Sequence, residues 1–591
     1  MHLIQIVLLS AAVLLVAYRV YGALLARLLE LDPHAPTPAV TLRDDVDYVP
    51  TEPKFLMGQH FSAIAAAGPI VGPILAGVAF GWLPALAWIL VGCIFVGGVH
   101  DFTALVASIR HQARSIAAVV HDHMSRRSYL IFLAFIYVAL IYIIVAFTDI
   151  VAGSFVHKRV LDDGTIVTGA GTASASIMYL VLPIAMGLLL RYTRLTVTWA
   201  TVIFLPLVGL AIVAGQELPV DLAAWFGLDD AAAVKLWDVL LLGYCLVAAV
   251  LPMWLLLQPR GHLGGFFLYV AVGGAMAGVV CGGVRWLAGG DSAVGAIAYP
   301  ALIGWSGVAP LQGQPLVPML FITIACGACS GFHCLIASGT TSKQLARESD
   351  ARPIGYGAML MEGMLAVVSL GCVMILAQDS AIKGKGPDLI YAYGLSQFFG
   401  ALGVPTALGL SFGLLAFTTF VYDTLDVCTR LGRYIVQELT GLKHQVGAWI
   451  GTGVTAALPL IFVMQTSLDG RGKPIPAWKA FWPLFGASNQ LLAALSLIGV
   501  TVWLWRTRRA MWVWVVTGAP AVWMYAMSIW ALSTFIKDAF FPAEVATVSP
   551  VVGGAAVVLV LLAVLMLIEA IATFVRTRGG PVSLRPAPTA A

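Results

Sequence analysis

The chain has few charged residues for its length. Lys, Arg, Asp and Glu make up 10% of the 591 residues, with a formal net charge of +4, whereas soluble domains contain about 25% charged residues. Hydrophobic residues make up 60% of the chain, so a soluble protein of this size could not cover its surface with polar groups. The excess apolar surface must therefore face lipid. The small net charge gives no indication of nucleic acid as a partner.

Cysteines and the short motifs of common enzymes are also scarce. The eight cysteines mostly lie inside apolar segments, which is typical of free, buried thiols and not of an extracellular disulfide framework. The sequence contains no phosphate-binding loop of the form G-x-x-x-x-G-K-[ST] and no H-E-x-x-H zinc-protease pair. We therefore expect no enzyme activity and no cofactor.

Long apolar runs, in contrast, take up more than half of the chain. A helix needs roughly 20 apolar residues to cross a hydrocarbon core about 30 Å thick. About fifteen runs approach or exceed this length, near residues 3–28, 60–80, 83–108, 129–152, 175–190, 195–214, 237–257, 263–287, 317–340, 356–377, 402–422, 445–465, 481–504, 511–532 and 551–575. We predict an all-α polytopic membrane protein with about 15 transmembrane helices, short loops and no separate soluble domain.

The basic residues indicate the orientation of these helices. In an inner-membrane protein, Lys and Arg cluster in the cytoplasmic loops. With fifteen spans, 23 of the 33 Lys and Arg residues fall on one side. This distribution predicts an N-terminus outside the cell and a C-terminus in the cytoplasm.

A segment rich in glycine and proline interrupts the second run. Residues 68–73 read Gly-Pro-Ile-Val-Gly-Pro, a composition that should break a helix. Broken backbone at membrane depth is stable only where it is buried or lines a cavity. The outer half-helix is expected to restart near Pro73, with its free N–H groups directed at an anionic ligand near the midplane. Alternatively, Gly68 and Gly72 form a GxxxG pair for close helix packing.

Ionisable residues lie where the runs should cross the lipid. His100 and Asp101 fall close to the midplane of the third run, and Glu362 lies one or two turns into the tenth. Such groups are costly in lipid and usually serve a transport pathway or a proton relay. The alternatives are a neutral histidine and an aspartate that satisfy neighbouring helix ends, and a glutamate paired with a buried arginine. Adjacent helical residues point about 100° apart, so His100 and Asp101 need not pair.

Small and hydroxyl-bearing residues fill the segment that follows Cys326. Three cysteines and one histidine there could indicate a metal site, but structural zinc sites use separated ligand pairs, and the sequence shows no second pair. We therefore expect no bound metal. The hydroxyls of Ser338, Thr340 and Thr341 could instead coordinate a hard cation or a carboxylate, or the small residues could serve helix packing.

A charged cluster lies at the inner end of the eleventh run. It contains Asp423, Asp426, Arg430 and Arg433. Because charged side chains near a helix end reach the interface, we interpret this cluster as interfacial ion pairs and not as a substrate site.

Several of these segments match a known pattern. The sequence resembles the carbon starvation protein A family of bacterial inner-membrane transporters in blocks that together run from about residue 57 to 492. The blocks are 57–61 (Met-Gly-Gln-His-Phe), 67–73, 99–101, 108–111, 326–333 (Cys-Gly-Ala-Cys-Ser-Gly-Phe-His), 338–344, 350–357, 424–434 and 485–492 (Phe-Gly-Ala-Ser-Asn-Gln-Leu-Leu).

The resemblance implies a carrier that imports pyruvate or small peptides when carbon is scarce. It also implies a driving ion gradient of either H⁺ or Na⁺ and a core of two inverted five-helix repeats with broken helices, surrounded by additional peripheral helices. The alternatives are a passive channel and a membrane sensor that acts through a partner. The implied partners are the small-molecule substrate and the lipid bilayer, and the sequence indicates no oligomeric state.

The resemblance also divides the chain and assigns candidate residues. Residues 1–59 would form the first helix and a cytoplasmic linker, 60–422 the transporter core, 423–576 additional helices and 577–591 a disordered cytoplasmic tail. The run 237–257 is expected to be the inverted counterpart of 60–80. Substrate binding is assigned to Gln59, His60, Gly68, Pro69, Gly72, Pro73, Ser330 and His333. Ion coupling is assigned to His100, Asp101, Ser338, Thr340, Thr341 and Glu362.

Overall fold

The described chain folds almost entirely into helices. The computed structural model describes residues 2–576 except 46, 161–165, 291, 378–379, 443–444, 469–473 and 543–547. The predicted disordered tail, 577–591, lies outside the described residues.

The α-helices follow one another with short connections. In chain order they are α1 (Leu3–Leu28), α2 (Pro38–Thr41), α3 (Pro53–Ile64), α4 (Gly68–Phe80), α5 (Trp82–Gly92), α6 (Gly98–Arg110), α7 (Ile116–His123), α8 (Arg126–Val156), α9 (Gly169–Tyr192), α10 (Val197–Glu217), α11 (Leu222–Phe226), α12 (Asp230–Ala248), α13 (Leu257–Leu287), α14 (Leu316–Thr323), α15 (Gly331–Ile336), α16 (Ala358–Met374), α17 (Pro387–Gly400), α18 (Thr406–Thr440), α19 (Gln445–Met464), α20 (Ala477–Arg508), α21 (Ala519–Phe540) and α22 (Pro550–Arg576).

Shorter elements complete the described structure. π-helical turns lie at Cys93–Gly97, Ala337–Thr341, Arg352–Gly357 and Trp514–Gly518, and 3-10 turns lie at Glu348–Asp350 and Ala381–Gly384. Two antiparallel hairpins lie in loops and pair β1 (Arg159–Val160) with β2 (Ile166–Val167) and β3 (Ser467–Leu468) with β4 (Pro474–Ile475).

The prediction of an all-α polytopic membrane protein is confirmed. Counted with their π-helical continuations, 13 of the described helices are long and apolar enough to cross a membrane, and the bent pair α3–α4 brings the number to 14. The ninth predicted run, 317–340, is wrong as a continuous helix. It divides into α14 and α15 around residues 324–330, where small residues, one of them a glycine, weaken helix formation.

The break in the second run lies earlier than predicted. Helix α3 ends at Ile64 and α4 begins at Gly68, with a bend of 46° between them. Pro69 occupies the first turn of α4, and Pro73 lies inside the helix, so the predicted restart near Pro73 is wrong. Proline is favoured in the first helical turn because its missing N–H would have no partner there.

The two broken segments pack directly against each other. A Cβ atom on Gly72 would collide with the carbonyl oxygen of Thr323, and one on Gly68 would collide with the side chain of Cys326. Neither position has room for a larger residue, so these glycines allow the backbones to approach. The break and the close packing, offered as alternatives from the sequence, therefore occur together.

The neighbours of α4 correct the expected counterpart of the first broken span. Helix α12, which covers most of the run 237–257, packs mainly on α8, α18 and α19, whereas α4 packs on α14, α16 and α17. A second break beside the first lies in 316–341, whereas the run 237–257 is helical only to Ala248 and non-helical over 249–256. The inverted five-plus-five repeat remains a prediction.

Burial distinguishes a central set of helices from a peripheral one. The apolar stretch of α20 is 100% buried and those of α16 and α18 are 89% buried, whereas only 28% of α10 is buried. Helix α8 packs on both α18 and α20. The central helices surround the two broken segments, so the polar groups near the breaks meet protein and not lipid.

We refer to the face on which α6 ends and α8 begins as the basic side, and to the opposite face as the far side. The predicted orientation makes the basic side cytoplasmic.

Replacing Gly72 with valine tests the contact between the broken segments. We expect Gly72→Val to destabilise the protein by about 1–3 kcal/mol, because α4 and α14 would have to separate. Thermal unfolding in detergent measures the effect. Gly243→Val in α12 is the control, since a Cβ at that exposed glycine meets nothing within 4 Å. Equal melting temperatures for the two variants would contradict this description of the core.

Candidate functional site

A chain of four ionisable side chains lies beside the breaks. His100 Nδ1 is 2.7 Å from Asp101 Oδ1, and Asp101 Oδ2 is 2.8 Å from His333 Nδ1. His333 Nε2 lies 3.2 Å from Glu362 Oε2. The chain therefore crosses from α6 through α15 to α16 and alternates histidine with carboxylate. We refer to these four residues as the acid–histidine chain.

The acid–histidine chain is sealed inside the protein. Each of its four residues is at most 1% exposed. Asp101 lies nine residues from the end of α6, which is about 14 Å at 1.5 Å per residue. An ionised group at this depth is costly unless an opposite charge or hydrogen-bond donors compensate it. Here each carboxylate has at least one imidazole beside it.

The position of His333 restricts its protonation. Both of its ring nitrogens face carboxylate oxygens, and only the imidazolium form carries a proton on both nitrogens. Glu362 is the less firmly held end of the acid–histidine chain, since neither of its oxygens has a partner in hydrogen-bond geometry among the described residues. A proton on Glu362 would remove one negative charge from this end. The acid–histidine chain can thus gain or lose a proton while its remaining charges stay next to one another and away from lipid.

Local irregularities of the helices bring these side chains together. The π-helical turn Cys93–Gly97 directly precedes α6, and such turns are frequent at functional sites because they rotate the following residues. On the other side of the site, α15 begins at Gly331. A Cβ there would collide with the carbonyl oxygen of Asn489, so glycine lets α15 start against α20. His333 then projects toward α6 and α16.

The sequence predicted the members of the acid–histidine chain but not their pairing. His100 and Asp101 do pair, although adjacent helical positions made this uncertain from the sequence. The predicted alternatives for Glu362 were titration and a buried arginine partner. Its neighbour in the structure is His333, so the arginine alternative is wrong.

Ser330 and the residues of the first break serve packing in this conformation. The Oγ of Ser330 lies 3.0 Å from the Nδ2 of Asn489, whose Oδ1 also accepts from the N–H of Phe332 at 2.9 Å. Gly68, Pro69, Gly72 and Pro73 are all buried against the second broken segment. None of these contacts leaves room for a substrate. Asn489 was not singled out from the sequence, although it lies in the matching block 485–492.

The three predicted hydroxyls do not converge on a cation site. Ser338 Oγ donates to the carbonyl of Cys334 at 2.6 Å, and Thr340 Oγ1 donates to that of Ile336 at 3.1 Å. Thr341 Oγ1 instead lies 2.8 Å from His60 Nδ1. Among the described residues, no three His, Cys, Asp or Glu side chains form a group that could hold a metal ion.

A second charged cluster joins α13 to α18. Arg260 Nε lies 2.7 Å from Asp423 Oδ1, and Arg260 Nη1 contacts Asp426 Oδ2. Ser62 Oγ donates to Asp423 Oδ2 at 2.6 Å, and Tyr244 OH donates to Asp426 Oδ2 at 2.7 Å. We refer to these five residues as the arginine cluster.

The arginine cluster corrects the interpretation of Asp423 and Asp426. They are 4% and 3% exposed, and Arg260 is 0% exposed, so these are not interfacial ion pairs. Little in the sequence pointed to Arg260, because a basic residue near the start of an apolar run resembles an ordinary cytoplasmic loop residue.

Two cavities on the basic side share Gln59 as a lining residue. A cavity of about 280 Å³ is lined by Arg191, Trp254 and Gln258, and also by Gln59. Gln59 lines a second, much smaller cavity of about 20 Å³ together with His60, Thr341 and Asp423. The smaller cavity has room for one water molecule. Gln59 therefore stands between an open vestibule and the buried polar groups.

One match to a hydrolase motif has no structural support. Residues 409–413 read Gly-Leu-Ser-Phe-Gly, the letters of a nucleophile elbow, which requires a sharp turn between a strand and a helix. Here Ser411 lies inside the continuous helix α18.

The chain is similar to a family of known transporters. The family described as "Carbon starvation protein CstA" matches residues 2–385 and 375–531. The pyruvate/proton symporter BtsT of Escherichia coli is 33% identical, over 89% of this chain and 81% of that protein. The peptide transporter CstA of E. coli is 32% identical, over 89% and 80%. The peptide transporter CstA of Bacillus subtilis is 30% identical, over 97% of both chains.

Among solved structures, the chain is similar to the manganese transporter of Eremococcus coleocola. A single-residue mutant of that protein aligns over 91% of this chain and 99% of its own, with 14% identity and a TM-score of 0.48. The family match extends over the segments that carry the acid–histidine chain and the arginine cluster. The protein therefore belongs to the carbon starvation protein CstA family.

Proposed function

We propose that this protein is a proton-driven secondary transporter of the bacterial inner membrane that imports pyruvate or a small peptide. The acid–histidine chain carries the proposal, because four ionisable groups in contact at membrane depth are typical of proton pathways. The names of the relatives support it, since one is a pyruvate/proton symporter and others are peptide transporters. No comparison favours Na⁺, and the described hydroxyls do not converge on a cation.

The proton step follows from the charges in the acid–histidine chain. With His333 as imidazolium, the two carboxylates Asp101 and Glu362 leave one net negative charge in a sealed site. Binding of one proton, at Glu362, removes that charge and makes movement of the surrounding helices less costly. Release of the proton on the opposite side of the membrane restores the negative charge. The protonation state is thus coupled to the conformation.

The substrate site would open between the two broken segments. The cavity beside His60 is about 20 Å³, which is too small for pyruvate, so the present conformation is closed around the site. We infer that Gln59 and His60 contact the substrate as it passes between this site and the vestibule on the basic side. Separation of α4 from α14 would then expose Gly68, Pro69, Gly72 and Pro73 and the start of α15 at Ser330.

The proposed topology places the N-terminus outside and the C-terminus in the cytoplasm. The vestibule that leads to Gln59 then opens toward the cytoplasm. We infer that the transporter core extends beyond the predicted 60–422, because Asp423 contacts Ser62 beside the first break and Asn489 contacts Phe332 beside the second. The arginine cluster would hold α13 and α18 together beside this site.

Uptake into proteoliposomes tests the proposed function. Labelled pyruvate and a labelled dipeptide are offered separately, under an imposed proton gradient or an imposed sodium gradient. We expect one of the two substrates to accumulate under the proton gradient alone. Passive equilibration without accumulation would indicate a channel, and binding without flux would indicate a sensor.

Neutral variants of the acid–histidine chain test the proton step. We expect Asp101→Asn and Glu362→Gln to reduce proton-driven accumulation to the level of protein-free liposomes, because the proton-binding carboxylate or its partner is removed. Exchange of labelled for unlabelled substrate across the membrane should persist in Glu362→Gln, which mimics the protonated form. Gln465→Asn, at an exposed position beyond α19, is the control. Full accumulation by both variants would show that the acid–histidine chain is not required for proton coupling.

The arginine cluster is tested by charge removal and restoration. Arg260→Met leaves two carboxylates buried without their cation, which should destabilise the fold by about 3–5 kcal/mol. The triple variant Arg260→Met, Asp423→Asn, Asp426→Asn leaves no uncompensated charge, so its melting temperature should return toward that of the wild type. A triple variant that is no more stable than Arg260→Met would contradict the expected charge compensation.

A further inference from the structure

A second pair of carboxylates is buried on the far side of the protein. Asp149 lies in α8, seven residues before the end of the helix, and Asp238 lies in α12, eight residues after its start. At 1.5 Å per residue these positions are about 10 and 12 Å from the helix ends. The two helices pack against each other, and the carboxylates are close enough to interact electrostatically. We refer to them as the aspartate pair.

Asp238 is buried without a hydrogen-bond partner in the described part of the chain. It is 0% exposed, and neither of its oxygens has a hydrogen-bond partner among the described residues. An ionised carboxylate in such surroundings is strongly disfavoured, and a second carboxylate nearby disfavours it further. The aspartate pair is therefore expected to hold at least one proton in the closed conformation.

The nearby cation, Lys235, acts electrostatically on both aspartates, but its ammonium group makes its hydrogen bonds elsewhere. Lys235 lies nearly one turn before Asp238 in α12, but its ammonium group contacts the carbonyl oxygens of Val463 and Gln465. Of the other helices packed around the pair, α20 brings one charge, the exposed Lys479 next to Trp478. Residues 406–422 of α18 contain no charged side chain, nor do residues 445–464 of α19 or 169–190 of α9. His157, at the end of α8, also acts on Asp149.

The aspartate pair lies behind a cavity that opens on the far side. The backbone N–H of Trp478 donates to Asp149 Oδ2 at 2.9 Å. Trp478 also lines a cavity of about 260 Å³ at the start of α20. The other ionisable side chains that line this cavity are His157, Lys158, Lys385, Asp388 and Lys479. Trp478, which is half-buried, therefore lies between Asp149 and a space large enough to hold water.

We propose that Asp149 and Asp238 form a second proton-binding site of this transporter, reached from the far side through the cavity at Trp478. The inference rests on the proposed function. One carboxylate of the pair takes a proton from the far solution and becomes a neutral carboxylic acid, and it releases that proton toward the basic side when the conformation changes. This site is separate from the acid–histidine chain, which lies on α6, α15 and α16.

Proton stoichiometry tests the aspartate pair. The full-length protein is reconstituted with labelled pyruvate or, if the wild type carries it instead, the labelled dipeptide. The membrane potential that stops net flux is measured at a fixed pH gradient and gives the number of protons per substrate. We expect Asp238→Asn and Asp149→Asn each to lower this number by one and to shift the pH profile of uptake. Asp230→Asn, at an exposed position in the first turn of α12, should leave both unchanged.

The outcomes separate the inference from the function on which it rests. A wild type that accumulates neither substrate under a proton gradient overturns the proposed function and the second site with it. A working wild type whose two Asn variants keep its stoichiometry and pH profile overturns the second site alone. Failure of both Asn variants to fold, seen in their melting temperatures, also overturns it, because an amide should replace a protonated carboxyl.

Discussion

The cost of an uncompensated charge away from water governs this structure. In the lipid core, neither an ionised side chain nor a free backbone group finds water to replace a missing partner. The polar groups of the protein are therefore concentrated in a few contacts among buried helices. Asp101 illustrates this, since it is 0% exposed and lies between two imidazoles. Arg260 illustrates it with the opposite sign, because two carboxylates and a tyrosine hydroxyl surround its guanidinium.

The same constraint explains why the helix breaks lie where they do. Each break leaves backbone N–H and C=O groups without helical partners, and these need protein neighbours at membrane depth. The structure supplies them by packing one break against the other, the first against α16 and the second against α16 and α20. The glycines at the contact remove the side chains that would hold the backbones apart. The breaks are thus closely packed, and in the proposed function a substrate reaches them only after the segments separate.

In the proposed transport cycle, these contacts link proton binding to conformational change. His333 sits on the short helix that follows the second break, while its partners Asp101 and Glu362 sit on continuous helices. A change in the charge of the acid–histidine chain therefore alters the contact between the short helix α15 and the continuous helices α6 and α16. The arginine cluster and the aspartate pair lie on other helix pairs. This separation allows different charged groups to respond to different faces of the membrane.

The sequence alone determined the class of the protein and the identity of many important residues. Sparse charge and repeated apolar runs are sufficient to predict a polytopic helical membrane protein, because lipid permits few alternatives. The motifs around His60, Asp101, His333 and Glu362 also indicated a transporter. Only the tertiary structure decided which of these side chains meet. The pairing of His333 with Glu362, the burial of Asp423 and Asp426 around Arg260, and the second break at 324–330 all depend on contacts between segments far apart in the chain. Local periodicity does not record such contacts, since it describes one helix at a time.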